Sequence, residues 1–290
     1  MSQPSGDREI RGIVVGVDGS PQSEEAAEWA AREAERRHVP MTLCHVVLTI
    51  APEFHLQPEM TDLERQHGEE LVETLAAEVH AAHPVVEVHR MVTCGQPGAE
   101  LAAMGDNAAA LVVGARGHGG FGALLLGSAS DYVLTHATCP VVIVRGAFWR
   151  DATPIVLGVD EKGSPAAAEY AFDMAAAVDA PVIAVHAFPL PAPVPTLGFD
   201  PNEQMRVLSR RCGRVLSAAL ASITEKYPDV MVDERAEVGS PGACLVEASS
   251  RARLVVLGAH ARSEMAAVLL GSVSRQVVHH AHCPVAVIRS

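Results

Sequence analysis

The chain is written twice. "GIVVGVDGSP" at 12–21 returns as "PIVLGVDEKGSP" at 154–165, and "VTCGQPG" at 92–98 returns as "AEVGSPG" at 236–242. "LVVGARG" at 111–117 returns as "VVLGAHA" at 255–261, "LLLGSAS" at 124–130 as "VLLGSVS" at 268–274, and "HATCPVVIVRG" at 136–146 as "HAHCPVAVIRS" at 280–290. The order never changes, and from the second pair onward the offset is constant at 144 residues. A repeat of that length is a domain and not a solenoid unit. The 290 residues therefore divide into two domains, 1–147 and 148–290, joined near "AFWRDAT" at 147–153.

Each copy alternates short apolar runs with longer amphipathic ones. In the first copy the pattern predicts strands at Ile13–Val17, Met41–Val47, Val85–Val92, Ala110–Val113 and Val141–Val144. Helices are predicted at about 23–38, 62–83, 97–105 and 128–136 between them. Fully apolar strands that alternate with helices form a parallel sheet covered on both faces. The expected fold class is α/β: two tandem doubly wound, Rossmann-like domains, each with a five-stranded parallel sheet in the order 3-2-1-4-5. The last strands, "PVVIVRG" and "PVAVIRS", would be apolar sheet edges, which invites pairing of the two copies within one chain.

Composition narrows the partners. The net charge of −13 argues against nucleic acid, whose phosphates call for Lys and Arg, and against anionic membranes. The polar start "MSQPSGDREIRG" lacks the pattern of a secretory leader, and no apolar run is long enough to insert in a bilayer, so a cytoplasmic location is expected. The six cysteines form no CxxC pair and read as reduced, mostly buried thiols. "HHAHC" at 279–283 could suggest a metal, but its counterpart "THATC" at 135–139 keeps one of those histidines and the cysteine, so no metal site is assigned.

Chemistry concentrates where strands end. In doubly wound sheets, ligands bind beyond the carboxyl ends of the strands, where the strand order reverses. Asp18 follows the first strand, and "GARGHGGFGALLLGSAS" at 114–130 follows the fourth and opens a helix. Glycines permit positive φ and close approach of backbone to a ligand, and successive amides with a helix start hold anions. Gly127-Ser128 sits at that start, and the Ser128 and Ser130 hydroxyls can donate to phosphate. Asp18, acceptor-only when ionised, suits ribose hydroxyls. The phosphate-loop pattern GxxxxGK[ST] is absent, and a GxGxxG turn is missing after the first strand, where a dinucleotide fold would carry it.

Gly114, two residues, Gly117, nine residues, then Gly127-Ser128 reproduces G-x2-G-x9-G-[ST]. With "GVDGS" after the first strand and "CPVVIV" as the last, the chain resembles the universal stress protein family in its tandem form over nearly its whole length. The resemblance implies ATP binding, with Mg²⁺ only as companion of ATP, and dimers paired through the last strand. By position it implies that Asp18 and Val46 hold the ribose and adenine end and that Gly114 lies against the ribose. Gly117, Gly127, Ser128 and Ser130 would bind phosphates. The second-copy equivalents are Asp160, Ala187, Gly258, Gly271, Ser272 and Ser274.

The second copy departs from the first. Ala261 stands where Gly117 stands, "DEKGSP" is two residues longer than "DGSP", and Glu264 brings a negative charge into the loop. The first site is therefore expected to bind better. His45 and His186 end matching strands and read as hydrogen-bonded core histidines. Arg116 and His118 lie in the loop and could stabilise phosphate charge, against solvated loop residues. The Pro-rich segments after the second strands, "FHLQPEM" and "PLPAPVPTLG", read as covers over the site, partner surfaces or linkers. The expected function is a nucleotide-dependent stress or growth regulator with an unidentified protein partner and no catalytic residues. Its rivals are a very slow ATPase and a scaffold that works without nucleotide.

Overall fold

The computed structural model describes residues 12–49, 58–117, 126–146, 154–189, 201–259 and 270–289. The chain splits into two compact units, Met1–Val144 and Arg145–Ser290. The first holds β1 (Ile13–Gly16), α1 (Pro21–Arg37), β2 (Met41–Leu48), α2 (Pro58–Ala82), β3 (Val88–Gly95), α3 (Pro97–Met104), β4 (Ala110–Gly114), α4 (Ser128–His136) and β5 (Val141–Val144). The second repeats the series as β6 (Ile155–Gly158), α5 (Pro165–Ala177), β7 (Val182–Phe188), α6 (Pro201–Lys226), β8 (Val232–Val238), α7 (Pro241–Ser249), β9 (Leu254–Ala259), α8 (Ser272–His280) and β10 (Val285–Arg289).

Both sheets are parallel and follow the expected order. The first unit runs β3-β2-β1-β4-β5, and the second runs β8-β7-β6-β9-β10. The order reverses direction at β1 and at β6, so the crevice beyond β1 and β4, and beyond β6 and β9, is the natural place for a ligand.

The central strands carry almost no exposed surface; Val14, Leu111, Val112 and Ile143 are fully buried. Burying such side chains contributes about 1.5–3 kcal/mol each. With so few aromatics, close approach of helix to sheet comes from alanine. Ala26, Ala27, Ala30, Ala31 and Ala34 are the buried face of α1, and Ala167, Ala168, Ala171 and Ala175 serve α5. Each of these helices starts on a serine cap followed by proline. Ser23 N donates to Ser20 Oγ at 3.2 Å, and Ala167 N donates to Ser164 Oγ at 3.3 Å. Proline at the first helical position loses no bond, because that amide has no partner inside the helix.

Two expectations change. The third strand begins at Val88 and not at Val85. Val85 is exposed at 73%, and Val86 N donates to His83 O in the turn that closes α2, so this apolar pair belongs to a turn. Nor are all strands covered on both faces. β3 and β8 lie at the outer end of their sheets, and most of their positions are partly or fully exposed, which suits the charges of "VDERAEV". Among the described residues, no helix is long and apolar enough to cross a membrane.

Candidate functional site

In the first unit, the turn after β1 is built around Asp18. Its Oδ1 accepts from the Ser20 hydroxyl at 2.6 Å and from the Ser20 amide at 3.1 Å, while Gly19 takes a positive φ of 79°. Ser20 is also the α1 cap, so the carboxylate and the helix start form one unit. Gly117 arrives from β4 and lies against the same carboxylate. A Cβ placed on Gly117 would overlap Asp18 Oδ2 and sit 3.1 Å from Asp18 Cγ. Gly114 is similarly hemmed in: a Cβ there would meet the Gln22 carbonyl oxygen at 2.8 Å.

The glycines therefore act through space and not through backbone handedness. Gly114 and Gly117 do not adopt positive φ, and Gly127 has φ −73°. Of the two properties glycine offers, positive φ and close approach, Gly114 and Gly117 use close approach. Gly127 is the cap of α4 and its amide donates to Ala115 O at 2.8 Å. Ser130 is buried at 6% exposure and donates to Gly114 O at 2.8 Å. Its hydroxyl hydrogen thus braces the end of β4, and Ser128 is the exposed hydroxyl at the helix start. The start of α4 is held from behind by α3, where Gly98 admits Tyr132; a Cβ on Gly98 would lie 2.6 Å from Tyr132 Cβ.

In the second unit, the same elements enclose a cleft of about 1080 Å³. Asp160, Ala187, Gly258, Gly271, Ser272 and Ser274 all line it. The two-residue insertion changes the turn. Asp160 Oδ1 accepts from Lys162 N at 3.1 Å, Gly163 takes φ 65°, and Glu161 pairs with Arg211 of α6 at 2.7 Å. The approach of strand to helix cap persists: a Cβ on Gly258 would meet Ser164 Oγ at 2.7 Å. Among the described residues, no group lies within 4 Å of a Cβ built on Gly271.

The two histidines play matching parts. His45 Nδ1 donates to Val17 O at 2.9 Å, and His186 Nδ1 donates to Val159 O at 2.8 Å. A carbonyl only accepts, so Nδ1 carries the proton in both rings. Each histidine ties the second strand to the residue just before the aspartate. Val46, buried at 8% exposure, follows His45, and the half-buried Ala187 follows His186.

The family model for the universal stress protein family matches residues 9–145 and again 152–289. The chain belongs to the universal stress protein family. A universal stress protein of Mycolicibacterium smegmatis is 37% identical over 96% of this chain and 97% of its own length. A universal stress protein of Mycobacterium tuberculosis H37Rv is 34% identical over 100% of this chain and 99% of its own. In fold, the chain resembles the crystal structure of a universal stress protein from Archaeoglobus fulgidus, with a TM-score of 0.68 at 18% identity, covering 96% of this chain and 98% of that one.

On this universal stress protein frame, the first-copy residues Asp18, Gly114, Gly117, Gly127 and Ser128 gather at the ends of β1 and β4, and Val46 at the end of β2. His118, Gly119, Gly120, Gly122, Ala261, Glu264 and most of both Pro-rich segments lie outside the described residues. Arg116 is exposed. Three contributors escape the sequence reading. Gln22, whose backbone carbonyl lies against Gly114, has a buried Oε1 with no hydrogen-bond partner among the described residues. Lys162 and Arg275 line the second cleft. Arg275 had a readable sign: at the 144-residue offset it stands opposite Asp131, a reversal of charge.

None of the six cysteines forms a disulfide among the described residues, and Cys44, Cys139, Cys212 and Cys283 are buried. Burial pushes the Cys283 thiol up to about 12, so it is protonated and unreactive beside the last strand. Among the described residues, no group of three or more His, Cys, Asp or Glu side chains is arranged to hold a metal ion.

Proposed function

We propose that this universal stress protein binds ATP at the strand ends of its units and works as a nucleotide-dependent regulator of stress or growth. One observation carries the proposal most: all six second-copy positions chosen from the sequence line a single cleft of about 1080 Å³ beyond β6 and β9. A nucleotide fits such a volume, since small-molecule pockets span roughly 300–1,000 Å³. The donor set suits the parts of ATP. Asp18 and Asp160 are acceptors for ribose hydroxyls, and the starts of α4 and α8 present free amides and Ser128 or Ser272 to phosphate. Mg²⁺ enters with ATP as its companion. A homodimer and a separate regulatory protein partner belong to the same proposal.

The test is direct. Protein purified from cells is denatured and the released nucleotide identified, then the measurement is repeated for Gly117→Ala and Asp18→Ala. ATP in the wild type and reduced ATP in both variants supports the proposal. Absence of nucleotide even after incubation with Mg-ATP overturns it in favour of a scaffold, and ADP accumulating with time makes the protein a slow ATPase.

A further inference from the structure

The two copies differ in charge at the place where phosphates would sit. Two cationic side chains line the second cleft, Lys162 and Arg275, and a third, Arg211, stands on α6 beside the inserted turn. Arg211 is engaged by Glu161 at 2.7 Å. Lys162 and Arg275 line the cleft, and among the described residues neither has a carboxylate partner. In the first copy, Lys162 has no counterpart, because it belongs to the two-residue insertion, and Asp131 occupies the place of Arg275.

The position of Arg275 is unfavourable in isolation. It stands in the first turn of α8, where the helix dipole favours negative charge and disfavours a cation. Asp131 in the first turn of α4 has the sign that the dipole prefers. An anion beside Arg275 reverses the balance, because amides, serine hydroxyl and guanidinium then all point positive charge at it. Lys162, on the inserted turn, comes to the same cleft from the β6 side, and its amide holds Asp160 Oδ1 at 3.1 Å. The inserted turn is anchored by Glu161 to α6, which keeps Lys162 at the cleft edge.

Resting on the nucleotide reading of the cleft, we propose that Lys162 and Arg275 make the second unit a reader of phosphate charge, selecting nucleoside triphosphate over monophosphate, while the first unit discriminates less. A monophosphate presents at most two negative charges and a triphosphate up to four, so two cations lining one cleft reward the longer chain. Glu161 and Arg211 satisfy each other at 2.7 Å, so neither of their charges is left over to distinguish the ligands.

Native mass spectrometry of the full chain, counting nucleotides bound from ATP and from AMP at rising concentration, tests the proposal. Lys162→Ala and Arg275→Ala are each expected to weaken ATP binding to one of two sites by about tenfold and AMP binding by less than about twofold. Arg275→Asp, which copies the first unit, is expected to weaken ATP further, and Arg275→Lys to restore most of it. Both side chains are on the surface, and circular dichroism checks that the variants fold. ATP and AMP losing equally, or neither losing, overturns the proposal while the nucleotide reading stands. A single ATP that is lost in Asp18→Ala but kept in the Lys162 and Arg275 variants also overturns it. A wild type that binds no nucleotide overturns both.

Discussion

Gly117 lies so close to Asp18 that a Cβ on it would overlap the carboxylate oxygen Oδ2. The aspartate has little room to yield, because its other oxygen holds the Ser20 hydroxyl and amide. Gly117→Ala must therefore displace the carboxylate and weaken the cap of α1. Each lost hydrogen bond costs about 0.5–1.5 kcal/mol, and removal of glycine flexibility from the unfolded chain returns about 0.4–1 kcal/mol. The expected net effect is a destabilisation of about 1 kcal/mol, read from urea unfolding, together with lower nucleotide retention. Unchanged stability and unchanged nucleotide content would mean that the carboxylate moves freely.

The second copy suggests a relief for that clash. There Ala261 replaces the glycine, and the turn carries two more residues, with Asp160 bonded to the Lys162 amide. A longer turn gives the carboxylate another place to rest. Inserting Glu-Lys after Asp18, to give "DEKGSP" in the first copy, is expected to cut the cost of Gly117→Ala to less than about 0.5 kcal/mol. A double-mutant cycle in urea measures the coupling, and strictly additive changes would show that turn length and glycine are independent.

What the sequence disclosed follows from the range of the interactions involved. Strand order and the placing of the motifs were legible because the duplication shows each pattern twice and apolar runs mark the strands. The contact between Gly117 and Asp18 was not, since it joins residues 99 positions apart through the spacing of β1 and β4. In the glycine motif, crowding by Asp18 and Gln22, not positive φ, excludes a side chain at Gly117 and Gly114, and that crowding comes from residues distant in sequence. The start of β3 was misplaced because Val85 and Val86 are apolar in a turn, which hydropathy alone does not separate from a strand. Ser130 was offered to phosphate because its hydroxyl is one turn into α4; only the fold reveals the Gly114 carbonyl beside it.

The paired histidines give a test of how the strand ends are held. Loss of the Nδ1 donor leaves the Val17 or Val159 carbonyl without that bond, next to the aspartate of each turn. His45→Ala and His186→Ala are each expected to destabilise by about 1–3 kcal/mol. The Asn variants place an amide nitrogen near the site of Nδ1 and should recover much of the loss. Thermal unfolding of the four variants decides the matter. Equal losses for Ala and Asn would assign the effect to ring packing and not to the hydrogen bond.

A second ionic contact predicts how the first unit responds to acid. His83, just after α2, meets Glu35 at 2.8 Å through Nδ1 and Glu28 at 3.3 Å through Nε2, while Arg32 reaches Glu28 at 2.8 Å. Burial pushes the Glu28 carboxyl up, but hydrogen bonds and charge from Arg32 and His83 outweigh it and hold the group below its ordinary value. A carboxyl with a depressed folded value stabilises the fold above its unfolded value, and that contribution fades as pH falls through the folded one. Stability of the wild type, followed as the urea midpoint between about pH 3 and 7, should therefore drop below the usual glutamate range. Glu28→Gln lacks the titrating group, so it should be less stable near neutrality and show a shallower acid slope. A slope as steep as that of the wild type would place the acid sensitivity in other carboxylates.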